Sequence, residues 1–184
     1  MKVIQNAVPK KNQGGFTIVE ALVVLGLFAA FIAAVVASTG GTTASQKAQT
    51  ESRVINGAGK KLIGIYDQRA NFNGLTTAAA NSLEIFPDNM GDPAINSFGG
   101  AVTVVTPPAN PKGNAPVAAR QFEINWPNVT GDVCPELAAL SQTDAIGVDV
   151  DGTEVYNAGV SPVDPVAIGA NCAEGVTVTF VFGK

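Results

Sequence analysis

The chain has 184 residues, of which 46% are hydrophobic and only 14% charged, and it contains no histidine. That absence removes Ser-His-Asp triads, the commonest general base and the usual zinc ligand, while a formal charge of −4 argues against a nucleic-acid partner. Two cysteines are too few for a four-thiolate metal centre but enough for one disulfide. No catalytic residue, metal or cofactor is expected.

Residues 1–15 carry Lys2, Lys10 and Lys11, no acid, and end in Gly14-Gly15. An apolar run of 22 residues follows at once, Phe16 to Ala37. As a helix it would reach about 33 Å, matching a hydrocarbon core of about 30 Å. The basic flank should stay cytoplasmic, which places the remainder across the membrane. A secretory signal has an apolar region of about 7–15 residues followed by a small-residue cleavage site. Here the run is longer, and the processing point Gly14-Gly15/Phe16 precedes it, so cleavage leaves the helix on the mature chain.

Glu20 is the sole charge inside that run. A carboxylate at the centre of a membrane costs about 2.5–3.5 kcal/mol on insertion scales, and less near the interface. Two readings stand side by side: a carboxylate resting at the headgroup boundary, or one that pairs with the new α-amino group of Phe16 on a neighbouring subunit. The second would offset burial and fix the axial register between helices.

A basic leader ending in Gly15, then Phe16-Thr17-Ile18-Val19-Glu20 and about twenty apolar residues, resembles the type IV pilins and their pseudopilin relatives. The resemblance implies a leader removed by prepilin peptidase at Gly14-Gly15/Phe16 and N-methylation of Phe16. It also implies extraction from the inner membrane, by a pilus assembly machinery, into a filament cored by these helices. Loss of the leader removes three lysines and no acid, taking the formal charge from −4 to −7.

After Ala37, the stretch STGGTTASQ reads either as a loop or as a weak point in one long helix, since each glycine costs about 1 kcal/mol there. Ala44, Ala48, Ile55, Ala58, Leu62 and Ile65 then recur at helical spacing, with Lys47, Arg53, Lys60 and Asp67 on the outer side. Roughly 42–69 is therefore the amphipathic second half of the helix, docked on a sheet, with Gly57, Gly59 and Gly64 leaving room for close packing. Residues 70–100 read as loops with a short helix at Thr76–Leu83.

Strands are expected at Ala101–Thr106, at Gln121–Trp126 with Phe122, Ile124 and Trp126 on one face, at Ile146–Val150, and at Val176–Phe182. The fold class is α+β: a long N-terminal helix packed on a mainly antiparallel sheet. The organisation is a leader at 1–15, a filament-core half-helix at 16–41 and a head at 42–184. The order of a GG-led strand, a long loop, FEINWPNVTGDVC and a late second cysteine is similar to type IVb pilins and their conjugation relatives.

Cys134 and Cys172 lie on the translocated side, where oxidation is permitted, and are read as one disulfide rather than two buried thiols. Cys134-Pro135-Glu136 reads as a helix start. Asp149-Val150-Asp151-Gly152-Thr153-Glu154 lacks EF-hand spacing and reads as a strand-to-strand turn with solvated carboxylates.

The resulting expectation is a pilin that polymerises with copies of itself, first in the inner membrane with its head in the periplasm and later in an extracellular filament. The filament would serve adhesion, aggregation or conjugative contact. A minor pilin or secretion pseudopilin is the near alternative, and a non-polymerising, membrane-anchored periplasmic binding domain is the distant one.

Overall fold

The computed structural model describes residues 18–184; before Thr43 it describes side chains only at 22–25 and 29. The chain divides into two units at Gly40–Gly41. Helix α1 runs Ile18–Ile65, with helical backbone at Gly40 and Gly41, so this stretch is not the loop that its glycines allowed. Among the described residues no helix is long and apolar enough to cross a membrane; most of the 16–37 run lies outside the described side chains.

The second unit, Gly41–Lys184, holds a five-stranded sheet. Its strands are β1 (Thr103–Val105), β2 (Gln121–Val129), β3 (Gly147–Val150), β4 (Thr153–Asn157) and β5 (Val176–Gly183). They lie in the order β1-β2-β5-β3-β4, and every neighbouring pair is antiparallel. The last strand is thus the centre of the sheet. Three short helices complete the unit: α2 (Thr77–Ser82), α3 (Cys134–Leu140) and α4 (Pro165–Asn171).

The period-two pattern sets one face of the sheet. Phe122, Ile124 and Trp126 of β2, Val148 and Val150 of β3, and Val178, Phe180 and Phe182 of β5 are all fully buried. The helix meets this face with Ala48, Ile55, Ala58 and Leu62, also buried, while Lys47, Arg53 and Lys60 face outward. Gly59 is where the two approach most closely: a Cβ there would lie 2.5 Å from the Phe182 ring. Gly57 and Gly64 have open space instead, so they are not packing glycines. Ile65, expected in the buried stripe, is 45% exposed; Tyr66, four residues after Leu62, takes the buried position.

Several elements differ from the expected pattern. Strand β2 continues past Trp126 through Pro127 to Val129, with a register shift between Trp126 and Val129 that accommodates the proline. Strand β1 is three residues long because Ala101 pairs with Ile95 outside the sheet. Strand β4 lies beyond the four expected strands, although a turn from strand to strand at 149–154 leads into it. Asp151 and Gly152, both at positive φ, turn β3 directly into it, the two-residue hairpin geometry that an Asp-Gly pair favours.

Candidate assembly surface

The sequence places the assembly chemistry at the start of the chain. Gly14, Gly15 and Phe16, the expected cleavage and N-methylation residues, lie outside the described residues. Glu20 belongs to the first turn of α1, but its side chain is also outside them, so no Phe16–Glu20 geometry is described. What is described of this half-helix is its apolar surface. Leu22, Val23, Val24 and Leu25 are 65%, 57%, 41% and 65% exposed, four consecutive aliphatic side chains on every side of one helical turn.

The second region lies around the two cysteines. Cys134 and Cys172 are joined by a disulfide across Cα atoms 5.6 Å apart, tying the start of α3 to the end of α4. Pro135 stands in the first turn of α3, and Glu136 there accepts a 2.6 Å hydrogen bond from Ser45 of α1. The bridge therefore fixes a segment that also grips the long helix. Helix α4 escapes periodicity because it is only seven residues long and buries a single residue, Ile168. Its signal was Asp164-Pro165: the Asp164 carboxylate caps the backbone N–H groups of Val166 and Ala167 at 2.9 and 3.1 Å. Val166, 81% exposed, and Val160, 55% exposed, give this disulfide-bounded segment an apolar outer rim.

The third region is the second face of the sheet. In the register, Thr103, Asn125, Thr179, Asp149 and Glu154 form one polar row across all five strands. Asn125 donates to Thr103 at 3.2 Å and accepts from Thr179 at 2.7 Å. The loop joining β1 to β2 lies over this row. Its Ala109 N–H donates to Glu123 and its Gly113 N–H to Asn157, at 2.9 and 2.7 Å.

Lys112 drops from that loop into the sheet with its side chain wholly buried. Its ammonium sits 2.6 Å from Asp149 Oδ1 and 2.9 Å from Glu154 Oε2. Gly147 makes this entry possible, since a Cβ there would run into the aliphatic stem of Lys112. The hydrogen bond from Lys112, aided by its charge and by Asn157 and Ser161, holds the Glu154 carboxyl below the usual carboxylate range despite partial burial. The solvated-carboxylate reading of 149–154 therefore holds for the exposed Asp151 but not for Asp149 or Glu154, which turn inward to a buried cation. Lys112 was the available signal: it is the sole Lys or Arg between Arg69 and Arg120.

Comparison with known proteins agrees with both ends of the chain. A model of the prokaryotic N-terminal methylation motif matches residues 10–36, and the model described as PilS N terminal matches residues 45–183. No curated protein matches. Among solved structures, a type IVb pilin from Salmonella typhi superposes with a TM-score of 0.54 at 16% identity, over 74% of this chain and 99% of that one. TcpA, a type IV pilin from Vibrio cholerae El Tor, gives 0.54 at 12% identity, over 76% and 99%. With the PilS model spanning most of the head and the methylation motif spanning the start of the helix, the chain belongs to the PilS family of type IV pilins and has the type IVb-like fold.

Proposed function

We propose that this chain is a pilin whose 1–15 leader is removed after Gly15, whose Phe16 is then N-methylated, and whose exposed apolar half-helix drives polymerisation into an extracellular filament. The observation that carries this reading is the turn Leu22–Leu25, exposed all round within the stretch that the N-terminal methylation motif matches. An apolar helix of this kind needs lipid or other helices around it. It has the first before assembly, in the inner membrane with the head in the periplasm, and the second in the fibre. Prepilin peptidase and an inner-membrane assembly machinery are the partners this pathway requires.

Within the filament, the Glu20 carboxylate of one subunit pairs with the Phe16 amine of the next, which offsets the cost of burying both charges and sets the axial step. The domain boundaries at 15 and 41 follow from this division of labour, with 42–184 as the outward head. The role is structural rather than enzymatic: the head offers lateral contacts and a receptor-facing surface for adhesion, aggregation or conjugative contact.

The test is N-terminal sequencing and intact mass of protein sheared from cells. Abundant sheared material starting at N-methylated Phe16 is expected. A processed start confined to the membrane fraction would instead indicate a minor pilin or pseudopilin. An intact Met1, absent from the sheared fraction, would leave a membrane-anchored binding domain.

A further inference from the structure

Lys112, Asp149 and Glu154 meet in a part of the head to which the assembly reading gives no task. A simple salt bridge accounts poorly for their arrangement. The ammonium is 2.6 Å from Asp149 Oδ1, yet that oxygen has no hydrogen bond of acceptable geometry, whereas an ion pair free to adjust would align along a lone pair. The lysine has no exposure at all and Asp149 only 6%, so both charges give up hydration for this contact.

The positions are also imposed rather than chosen by the pair. The Lys112 main chain is clamped to the Gln121 side chain by two reciprocal hydrogen bonds of 2.8 and 2.7 Å, and its stem lies in the notch at Gly147. Asp149 is held in β3 between β5 and β4, and Glu154 stands directly opposite it in the register.

We propose that Lys112 and Asp149 condense into an intramolecular amide, with Glu154 as the acid–base group. A proton first passes from the ammonium to Asp149, replacing two buried charges by a neutral amine and a carboxylic acid. The Nζ lone pair attacks Cγ, forming the C–N bond. Glu154 Oε2, already hydrogen-bonded to Nζ at 2.9 Å, takes the surplus N–H proton and returns it to the departing Oδ1 hydroxyl. The C–O bond breaks and one water leaves; nothing is oxidised or reduced, and Glu154 ends as it began.

Oδ2 becomes the amide oxygen, and Asn110 Nδ2, 3.3 Å away, is placed to donate to it as negative charge builds there. Enforced contact supplies the proximity that an uncatalysed amine and carboxylate lack in water. Glu154 is held in place to act as the base by hydrogen bonds that its carboxylate accepts from Asn157 and Ser161, at 3.1 and 3.3 Å. The product staples the loop between β1 and β2 to β3.

Peptide mass spectrometry of the purified full-length protein, denatured, reduced and cut with trypsin, tests this. Beyond Arg69, the cleavable residues before the terminal Lys184 are Lys112 and Arg120. An amide blocks cleavage after Lys112 and joins residues 70–120 to 121–184 in one branched species, lighter than its parts by one water. That species is expected from the wild type. Asp149→Ala and Glu154→Gln should give the separate peptides 70–112, 113–120 and 121–184 while keeping the parent circular dichroism. Separate peptides from the wild type would overturn the amide and leave an ion pair, and a branched species undiminished in Glu154→Gln would overturn the role given to Glu154.

Discussion

Gly57 and Gly59 stand two residues apart on α1, and their surroundings predict opposite outcomes for the same substitution. Gly59 faces the Phe182 ring, with no space for a Cβ, so Gly59→Ala should destabilise the head by about 1–3 kcal/mol through overpacking. Gly57 has open space and helical backbone, so Gly57→Ala should stabilise it by about 0.5–1 kcal/mol. Urea denaturation of the two variants checks both signs at once.

The Lys112 site makes a pH prediction. In Asp149→Ala the amide is unavailable and Lys112 keeps its charge beside Glu154. The folded pKa of Glu154 then lies below its unfolded one, so its contribution to stability is present above the ordinary carboxylate range and is lost as pH falls through the lowered folded value. Urea midpoints for this variant should drop on acidification, and adding Glu154→Gln should remove that drop. An equal acid limb in both variants would mean that the Lys112–Glu154 contact is not what Glu154 senses.

At the level of elements, the core is the contact between α1 and the apolar sheet face. Leu62 is fully buried in it, and Leu62→Ala should cost about 2–5 kcal/mol, read as a lower urea midpoint with an unchanged slope. The disulfide closes a separation of 38 residues and is worth roughly 4 kcal/mol on a chain-entropy model. Its reduction should free α4 first, because that helix is seven residues long and buries only Ile168; proteolysis within 158–171 is the readout.

Elements with strong periodicity were legible in the sequence. The stripe Ala48–Ile55–Ala58–Leu62 and the alternations in β2 and β5 report burial directly, because side-chain direction follows the backbone period. Helix α4 and strand β4 were not legible by pattern. The first is held by an Asp-Pro cap. The second, next to β3 at the sheet edge, has polar residues whose partner, Lys112, comes from a loop distant in sequence. The cover over the polar face was not legible either, because alternation tells which residues share a face but not what lies over it.

For the whole molecule, assembly and head folding are separate properties. Glu20→Ala should leave the circular dichroism and denaturation midpoint of the head unchanged while sharply reducing sheared filament. Undiminished yield would exclude the Phe16–Glu20 pairing as the register device, without touching the fold. The apolar turn Leu22–Leu25 should matter more: replacing it by polar residues should prevent both membrane retention and polymerisation.

A density map of sheared filaments, obtained by electron cryomicroscopy at a resolution that shows side chains, tests polymerisation through the N-terminal helix. It should show helices beginning at Phe16 packed along the axis, each Glu20 within ion-pair distance of a neighbouring Phe16 amine, and heads 42–184 forming the outer layer. Filaments joined through their heads, with the segment from Phe16 to Ala37 absent or off the axis, would contradict it.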